Sequence, residues 1–245
     1  MASTSGAPAL TGFCNASMVH ESDLDEPVWA ALNGPHACLA QSVGGAVRYP
    51  PDVSVFAAVS PNGDHSAWDD LAALVGDGGT AVVIDPTPPQ QWETIRVIDG
   101  VQMVDVSLDA AEHPDVRPLV AADVPEMLEL VERTRPGPFL PGTIELGTYL
   151  GIRRDGRLVA MAGQRLRLDG WTEISAVCTD AAHRGQGLGS ILVRAIAAEI
   201  RNRDDTPFLH AAASNVGAIR LYESMGFVTR RSSSFQVLRA KTNPL

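Results

Sequence analysis

Along the first part of the chain, short apolar runs alternate with clusters of turn-forming residues. Residues 53–59, 80–84 and 95–106 read as strands, the last broken at Asp99-Gly100. Turns are expected at 48–52, 60–64, 76–79 and 85–89, where Pro, Gly, Asn and Asp gather. Residues 27–32 and 68–75 read as helices. Together these form a small α/β unit with no motif that can be tied to chemistry. The stretch 108–118, with His113-Pro114 and Arg117-Pro118, is the expected boundary.

The pattern is clearer beyond it. Val124, Met127, Leu128 and Val131 form a helical stripe over 122–133 behind Asp123, a plausible cap, and Thr134-Arg-Pro-Gly-Pro-Phe139 ends it. Residues 148–153 and 157–166 flank Arg154-Asp-Gly156 as a hairpin, and Asp169-Gly170 turns into a strand over 171–179. A glycine-rich turn, a helix at 191–202, a strand at 207–213, a helix at 218–225 and a strand at 233–239 complete the chain. No internal repeat is visible.

Composition narrows the class. The 245 residues are 45% hydrophobic and 20% charged, enough for a packed core and unlike a disordered chain. No apolar run approaches the length of a membrane span. The N-terminus has no basic residue ahead of an apolar stretch and reads as a flexible tail over 1–18, not a secretory signal. Cys14, Cys38 and Cys178 are too scattered for a disulfide framework or a zinc site, so no metal and a cytoplasmic location are expected. The net charge of −10 is uneven: residues 1–114 hold 2 Lys/Arg against 15 Asp/Glu, and the remainder holds 17 against 14. An acidic body disfavours nucleic acid, yet the Arg-rich second part suits a phosphorylated small molecule.

The strongest chemical signal is Thr179-Asp-Ala-Ala-His-Arg-Gly-Gln-Gly-Leu-Gly-Ser190, between a strand and a helix. Glycines 185, 187 and 189 allow close backbone approach, the amides from Gln186 onward are a helix N-terminus, and Arg184 adds positive charge, a combination suited to pyrophosphate. A P-loop needs a lysine that is absent here. A dinucleotide fingerprint needs a third glycine where Ser190 stands and an acid where Ser214-Asn215 follows the next strand. The alternative is a helix cap whose glycines merely close a tight turn.

Arg184-Gly-Gln-Gly-Leu-Gly189 resembles the pyrophosphate loop of the GNAT superfamily of acyl-CoA-dependent N-acyltransferases. Asn215-Val-Gly-Ala-Ile-Arg-Leu-Tyr-Glu-Ser-Met-Gly-Phe227, about thirty residues on, resembles that superfamily's second signature. Glu173–Thr179 and Thr134–Phe139 further resemble a glycine N-acyltransferase-like branch with a degenerate N-terminal half. Ala181 departs from the pattern, where proline is common. The resemblance covers residues 117–240 and implies an α/β GNAT fold, a mixed central sheet flanked by helices. It also suggests two tandem GNAT-like units, a degenerate one over 19–112 and a catalytic one over 115–245, and is compatible with a homodimer.

The resemblance implies acetyl-CoA as co-substrate. Val177, Cys178 and Thr179 would meet its pantetheine arm and thioester. Arg184, Gly185, Gln186, Gly187, Leu188, Gly189 and Ser190 would hold the pyrophosphate, and Asn215 and Ala218 would meet the pantetheine amides. Tyr222 would be the general acid for the leaving thiolate; its alternative is a helix tyrosine packed beneath the last strand. Glu173 would be the base that frees the amine, because alternation puts Glu173, Ser175, Val177 and Thr179 on one side of their strand and Cys178 on the other. It could instead only bind the acceptor's ammonium, or be a cross-strand charge beside the Asp169-Gly170 hairpin. His183 reads as a solvated loop residue, His210 as a satisfied sheet residue, and Arg201, Arg203, Arg230 and Arg231 as solvated faces. Phe139 either shapes the acceptor pocket or staples its loop to the core.

The expected activity is transfer of acetyl from acetyl-CoA to a primary amine of a small molecule, by direct attack in a ternary complex. The acidic first part suggests a cationic acceptor, with no membrane or nucleic-acid partner. The alternatives are a non-catalytic acyl-CoA-binding module and an acetyltransferase acting on protein N-termini or lysines.

Overall fold

The computed structural model describes residues 21–63 and 65–241; the tail expected over 1–18 lies outside them. In chain order the elements are α1 (Pro27–Asn33), β1 (Gln41–Val43), β2 (Ala46–Arg48), β3 (Ala57–Val59), α2 (Ser66–Val75), β4 (Thr80–Ile84), β5 (Trp92–Asp105) and β6 (Val116–Leu119). There follow α3 (Val124–Thr134), β7 (Tyr149–Arg154), β8 (Arg157–Leu168), β9 (Trp171–Thr179), α4 (Leu188–Arg201), β10 (Thr206–Ala212), α5 (Val216–Met225) and β11 (Phe227–Ala240). Short 3-10 turns join several of them.

Eight strands form one mixed sheet in the order β4-β11-β5-β10-β9-β8-β7-β6, and β1-β2-β3 form a small sheet of their own. Neighbours in the large sheet are antiparallel except β9 and β10, which run parallel. β8 is buried along most of its length because both faces are covered. On one face Ile174, Leu209 and the α4 residues Leu192, Val193 and Ile196 share a core with Tyr222 and Phe227. On the other, Met127 and Leu130 of α3 pack with Phe139, Tyr149 and Cys178. Leu24, Val28, Tyr49 and Phe56 of the first part pack on Leu166, Leu168 and Phe208.

The strand order departs from the expected division of the chain. β5, from the supposed first unit, lies between β10 and β11, with Gly100–Val104 against Phe208–Ala212 and Trp92–Asp105 against β11. The large sheet therefore runs across the expected boundary instead of stopping at it. β5 also passes through Asp99-Gly100 without a break. Glycine is needed there for space, since a Cβ on Gly100 would sit 2.9 Å from the carbonyl oxygen of Ala211.

Other boundaries move as well. β6 forms an edge strand inside the expected linker, α4 begins at Leu188 and not at 191, and β11 starts immediately after Gly226. The arginines read as solvated faces are tied down. Arg201 pairs with Asp105, Arg203 hydrogen-bonds Gln164, Arg230 pairs with Glu21 and Asp25, and Arg231 pairs with Asp25 and Asp85. Three of the four thus bind the second part of the chain to carboxylates of the first. No described helix is long and apolar enough to cross a membrane.

Candidate active site

β9 and β10 begin as partners and then separate. Their pairing runs from Thr206↔Trp171 to Leu209↔Ile174 and stops, although both strands continue. A cleft of about 510 Å³ opens where they part. Its walls are residues 174–179 on one side and 210–212 on the other, with Thr134–Pro136, Arg165, Arg184, Ser214 and Asn215 ahead of α5, and Ala218 and Tyr222 of α5.

A bulge in β9 shapes the first wall. Gly163 pairs with Ser175 and Met161 with Cys178, so two residues, Ala176 and Val177, occupy the space opposite one. Ala176 takes φ 52, a left-handed conformation costly for a residue with a Cβ. The extra residue resets the alternation. Ile174 and Val177 both pack toward α4, whereas Ala176 and Cys178 both join the α3 cluster. The strict alternation expected for Glu173, Ser175, Val177 and Thr179 therefore fails: Glu173, adjacent to Ile174, points away from the face that Val177 uses. Cys178 is on the α3 face with its thiol buried, and burial raises its pKa.

Glu173 is 0% exposed. Its carboxylate accepts from Nε and Nη2 of Arg165 at 2.8 and 2.5 Å and from Nδ1 of His210 at 2.8 Å. Arg165 in turn lies over the Phe56 ring, 4.9 Å from its centroid. Burial alone would raise the carboxyl's pKa, but Arg165 and His210 outweigh it and hold the value at about 2. A buried carboxylate with three donors and so low a proton affinity is a fixed charge, not the base expected of Glu173. The cross-strand alternative describes what is found, with Arg165 and Glu173 on the two arms of the Asp169-Gly170 hairpin.

His210, read as a satisfied sheet residue, is one: its side chain is only 2% exposed, and its backbone faces the cleft. His183 is less simple than a solvated histidine, because its Nδ1 is buried without a partner among the described residues. Phe139 is a staple, packed edge-to-face on Tyr149 with centroids 5.5 Å apart.

The glycine loop leads into α4. Gly185 and Gly187 both take φ +75 with open space around the position of a Cβ, and Gly187 caps the helix. Ile191 donates to Gly187, which leaves the amides of Leu188, Gly189 and Ser190 as the free donors of the first turn. Leu188 offers only its amide, since its side chain is in the core. Arg184 is exposed and has no ion-pair partner among the described residues. Beyond the end of β10, Asn215 caps α5 by accepting from the Ala218 amide at 3.2 Å, so its NH2 group remains a donor beside the cleft.

Tyr222 projects from α5 into the cleft, packed against Phe227 with centroids 6.0 Å apart. Its hydroxyl has no hydrogen-bond partner among the described residues. Burial pushes its pKa up to about 12, so it stays protonated throughout the neutral range. The cleft thus brings together Val177, Cys178, Thr179, Arg184, Asn215, Ala218 and Tyr222, with Gly185–Ser190 continuing from Arg184; Glu173 lies behind it. Sequence reasoning passed over Arg165, whose signal was the hairpin register, and Arg135 and the Ala176 bulge, which leave no signal in residue type.

The FR47-like protein family matches residues 149–236. Mycothiol acetyltransferase of Thermomonospora curvata is 30% identical over 173 residues, 68% of this chain; the chain spans 58% of the length of that relative. The [ribosomal protein bS18]-alanine N-acetyltransferase of Escherichia coli K12 is 30% identical over 115 residues, 44% of this chain and 77% of the enzyme. A crystal structure described as a GNAT-family acetyltransferase from Novosphingobium aromaticivorans superimposes with a TM-score of 0.82 at 40% identity, over 89% of this chain and 99% of the other. A GCN5-related N-acetyltransferase from Kribbella flavida shares the fold, with a TM-score of 0.58 at 20% identity over 88% of this chain and 95% of its own.

Proposed function

Because the chain belongs to the GNAT family of acetyltransferases, we propose that it transfers an acetyl group from acetyl-CoA to a primary amine of a small molecule by direct attack in a ternary complex. The observation that carries this reading is one cleft that joins an unpaired β9 edge, the open glycine loop before α4 and the free hydroxyl of Tyr222.

The residues fit the co-substrate. The amides of Leu188, Gly189 and Ser190, with Arg184, would hold the pyrophosphate at the positive end of α4. The unpaired edges of β9 and β10 and the Asn215 NH2 would hold the pantetheine amides. Acetyl-CoA supplies the acetyl group as a thioester and departs as the thiol. The Val177 or Cys178 amide, freed from regular pairing by the bulge, would donate to the thioester carbonyl oxygen as it gains negative charge. The amine nitrogen bonds to the carbonyl carbon and the C–S bond breaks; Tyr222 donates its phenolic hydrogen to the departing sulfur, and the proton shed by the nitrogen restores the phenol, directly or through water. Glu173 positions rather than reacts: it fixes Arg165 and His210 behind the wall.

Calorimetric titration of acetyl-CoA tests the reading, with Gly187→Trp as control. Micromolar binding that the variant loses, together with amine-dependent release of CoA, is the expected result. A folded wild-type protein that binds no acetyl-CoA would overturn it.

A further inference from the structure

A second pair of strands meets and parts away from the cleft. β3 leads through α2 to β4, and the two strands run in the same direction, as β9 and β10 do on either side of α4. They touch at one parallel bridge, Phe56↔Val82, where the Val82 amide donates to the Val55 carbonyl at 3.0 Å. Beyond it β3 pairs with β2 and β4 with β11, in separate sheets. A pocket of about 240 Å³ opens between them, lined by residues 57–61 and 83–87 with Trp29 of α1 and Trp68 of α2. The crevice beyond the carboxyl ends of diverging parallel strands is where open α/β sheets receive ligands.

The pocket and the cleft differ in charge. Arg135, Arg165 and Arg184 line the cleft, and among the described residues no carboxylate side chain does. The β3–β4 pocket is lined by Glu26 and Asp85, with no lysine, arginine or histidine among its described lining residues. Residues 60–65, which join β3 to α2, contain no arginine and a single glycine, so a pyrophosphate meets no cation there.

Asp85 is already answered. It accepts from the Ser233 hydroxyl at 3.1 Å and the Ser234 amide at 2.5 Å, and it pairs with Arg231 at 3.1 Å. Glu26 is not answered. Its side chain neither caps α1 nor makes a hydrogen bond or ion pair among the described residues, and loss of water around it raises its pKa. Beside it stand two indoles. Trp68 is 7% exposed and held edge-to-face on Trp92 with centroids 5.8 Å apart, and Trp29 is half-buried. Indole faces attract cations, and most strongly where water is partly excluded.

We propose that the pocket between β3 and β4 binds a small organic ammonium ion, its charge paired with Glu26 and its alkyl groups against Trp29 and Trp68. A metal ion does not suit it, because hard cations need a shell of oxygen ligands and no cluster of metal-ligating side chains occurs among the described residues. The site is separate from the cleft, since no described residue lines both. It goes beyond the transferase reading and does not depend on it.

The test is titration of the full chain with benzyltrimethylammonium chloride, with benzyl alcohol and phenylacetate as neutral and anionic counterparts. The probe has no N–H and cannot be acetylated, so binding is read without turnover. Calorimetry should give a saturable isotherm with a Kd of about 1 mM or lower. The alcohol should bind at least about tenfold more weakly and phenylacetate not at all. Tryptophan emission should change along the same isotherm, because Trp29 and Trp68 line the pocket and no tryptophan is among the described residues lining the cleft. Glu26→Gln and Trp29→Leu should each weaken binding by roughly three- to thirtyfold. Absence of saturable binding overturns the proposal, as does equal binding of the alcohol. Binding that leaves tryptophan emission unchanged, or that both variants retain in full, places the ion elsewhere and overturns it too. The acetyl-CoA titration bears on none of these outcomes.

Discussion

Nδ1 of His210 lies 2.8 Å from Oε1 of Glu173, and the carboxylate can only accept, so this nitrogen carries a hydrogen. On the far side of the ring, Nε2 lies 3.2 Å from Nε2 of Gln102. The Gln102 amide cannot turn over: its NH2 donates to the Leu24 carbonyl at 2.8 Å and its oxygen accepts from Arg230 at 2.9 Å. Its NH2 group is therefore the side that faces Nε2 of His210. The chain Arg165–Glu173–His210–Gln102–Arg230 crosses β8, β9, β10, β5 and β11 beside the point where the cleft opens. Every member but the arginines is buried or nearly so, and each has a partner.

Removing the charge at its centre should be expensive. Glu173→Gln leaves Arg165 buried without its counter-ion and is expected to lower stability by about 3–5 kcal/mol. Urea denaturation of the variant beside wild type measures it. A loss under 1 kcal/mol would show that the pair is not integral to the wall.

Acid should unfold the protein in two stages. Burial lowers the His36 pKa from 6.5 to about 4, with its ring held by the Tyr49 hydroxyl at 2.8 Å. The unfolded chain binds that proton more readily, so the contribution is complete above pH 6.5 and is lost as pH falls from 6.5 toward 4. Glu173 shifts from 4.5 to about 2, so its contribution is complete above pH 4.5 and is lost between 4.5 and 2. Each amounts to about 3 kcal/mol by linkage. Denaturation midpoints across pH 3–8 should fall below pH 6.5, and His36→Gln should flatten the upper stage.

Tyr222→Phe should lower kcat by roughly 10²–10⁴-fold, the usual range for a proton donor. The acetyl-CoA Kd should hardly change, because the ring still packs on Phe227. With a pKa of about 12, Tyr222 should produce no loss of activity up to pH 10. Unchanged turnover in the variant would remove the hydroxyl from the reaction.

Ala176→Val should damage both fold and function. A β-branched residue at φ 52 is strained by about 1–3 kcal/mol, and relaxing it would flatten the bulge that frees the Val177 amide. Thermal unfolding should shift downward by several degrees and kcat should fall, whereas Ala176→Gly should keep both. A valine variant with full activity would show that the bulge is not needed.

The amino-acid sequence by itself determined the two signatures, the hairpins around Gly156 and Gly170 and the glycine loop, because glycine spacing, caps and turn chemistry act between near neighbours. It also carried both readings of Glu173. Only the tertiary structure decided between them: a carboxylate serves as base or as fixed charge according to what surrounds it, and Arg165, His210 and Gln102 come from three different strands. The placement of β5 between β10 and β11 was equally invisible, since a strand's own pattern states which face is buried and not which strands flank it. The bulge at Ala176 follows from the same cause. Nothing in its side chain asks for a left-handed backbone; the requirement comes from fitting β9 to β8 on one edge while it parts from β10 on the other.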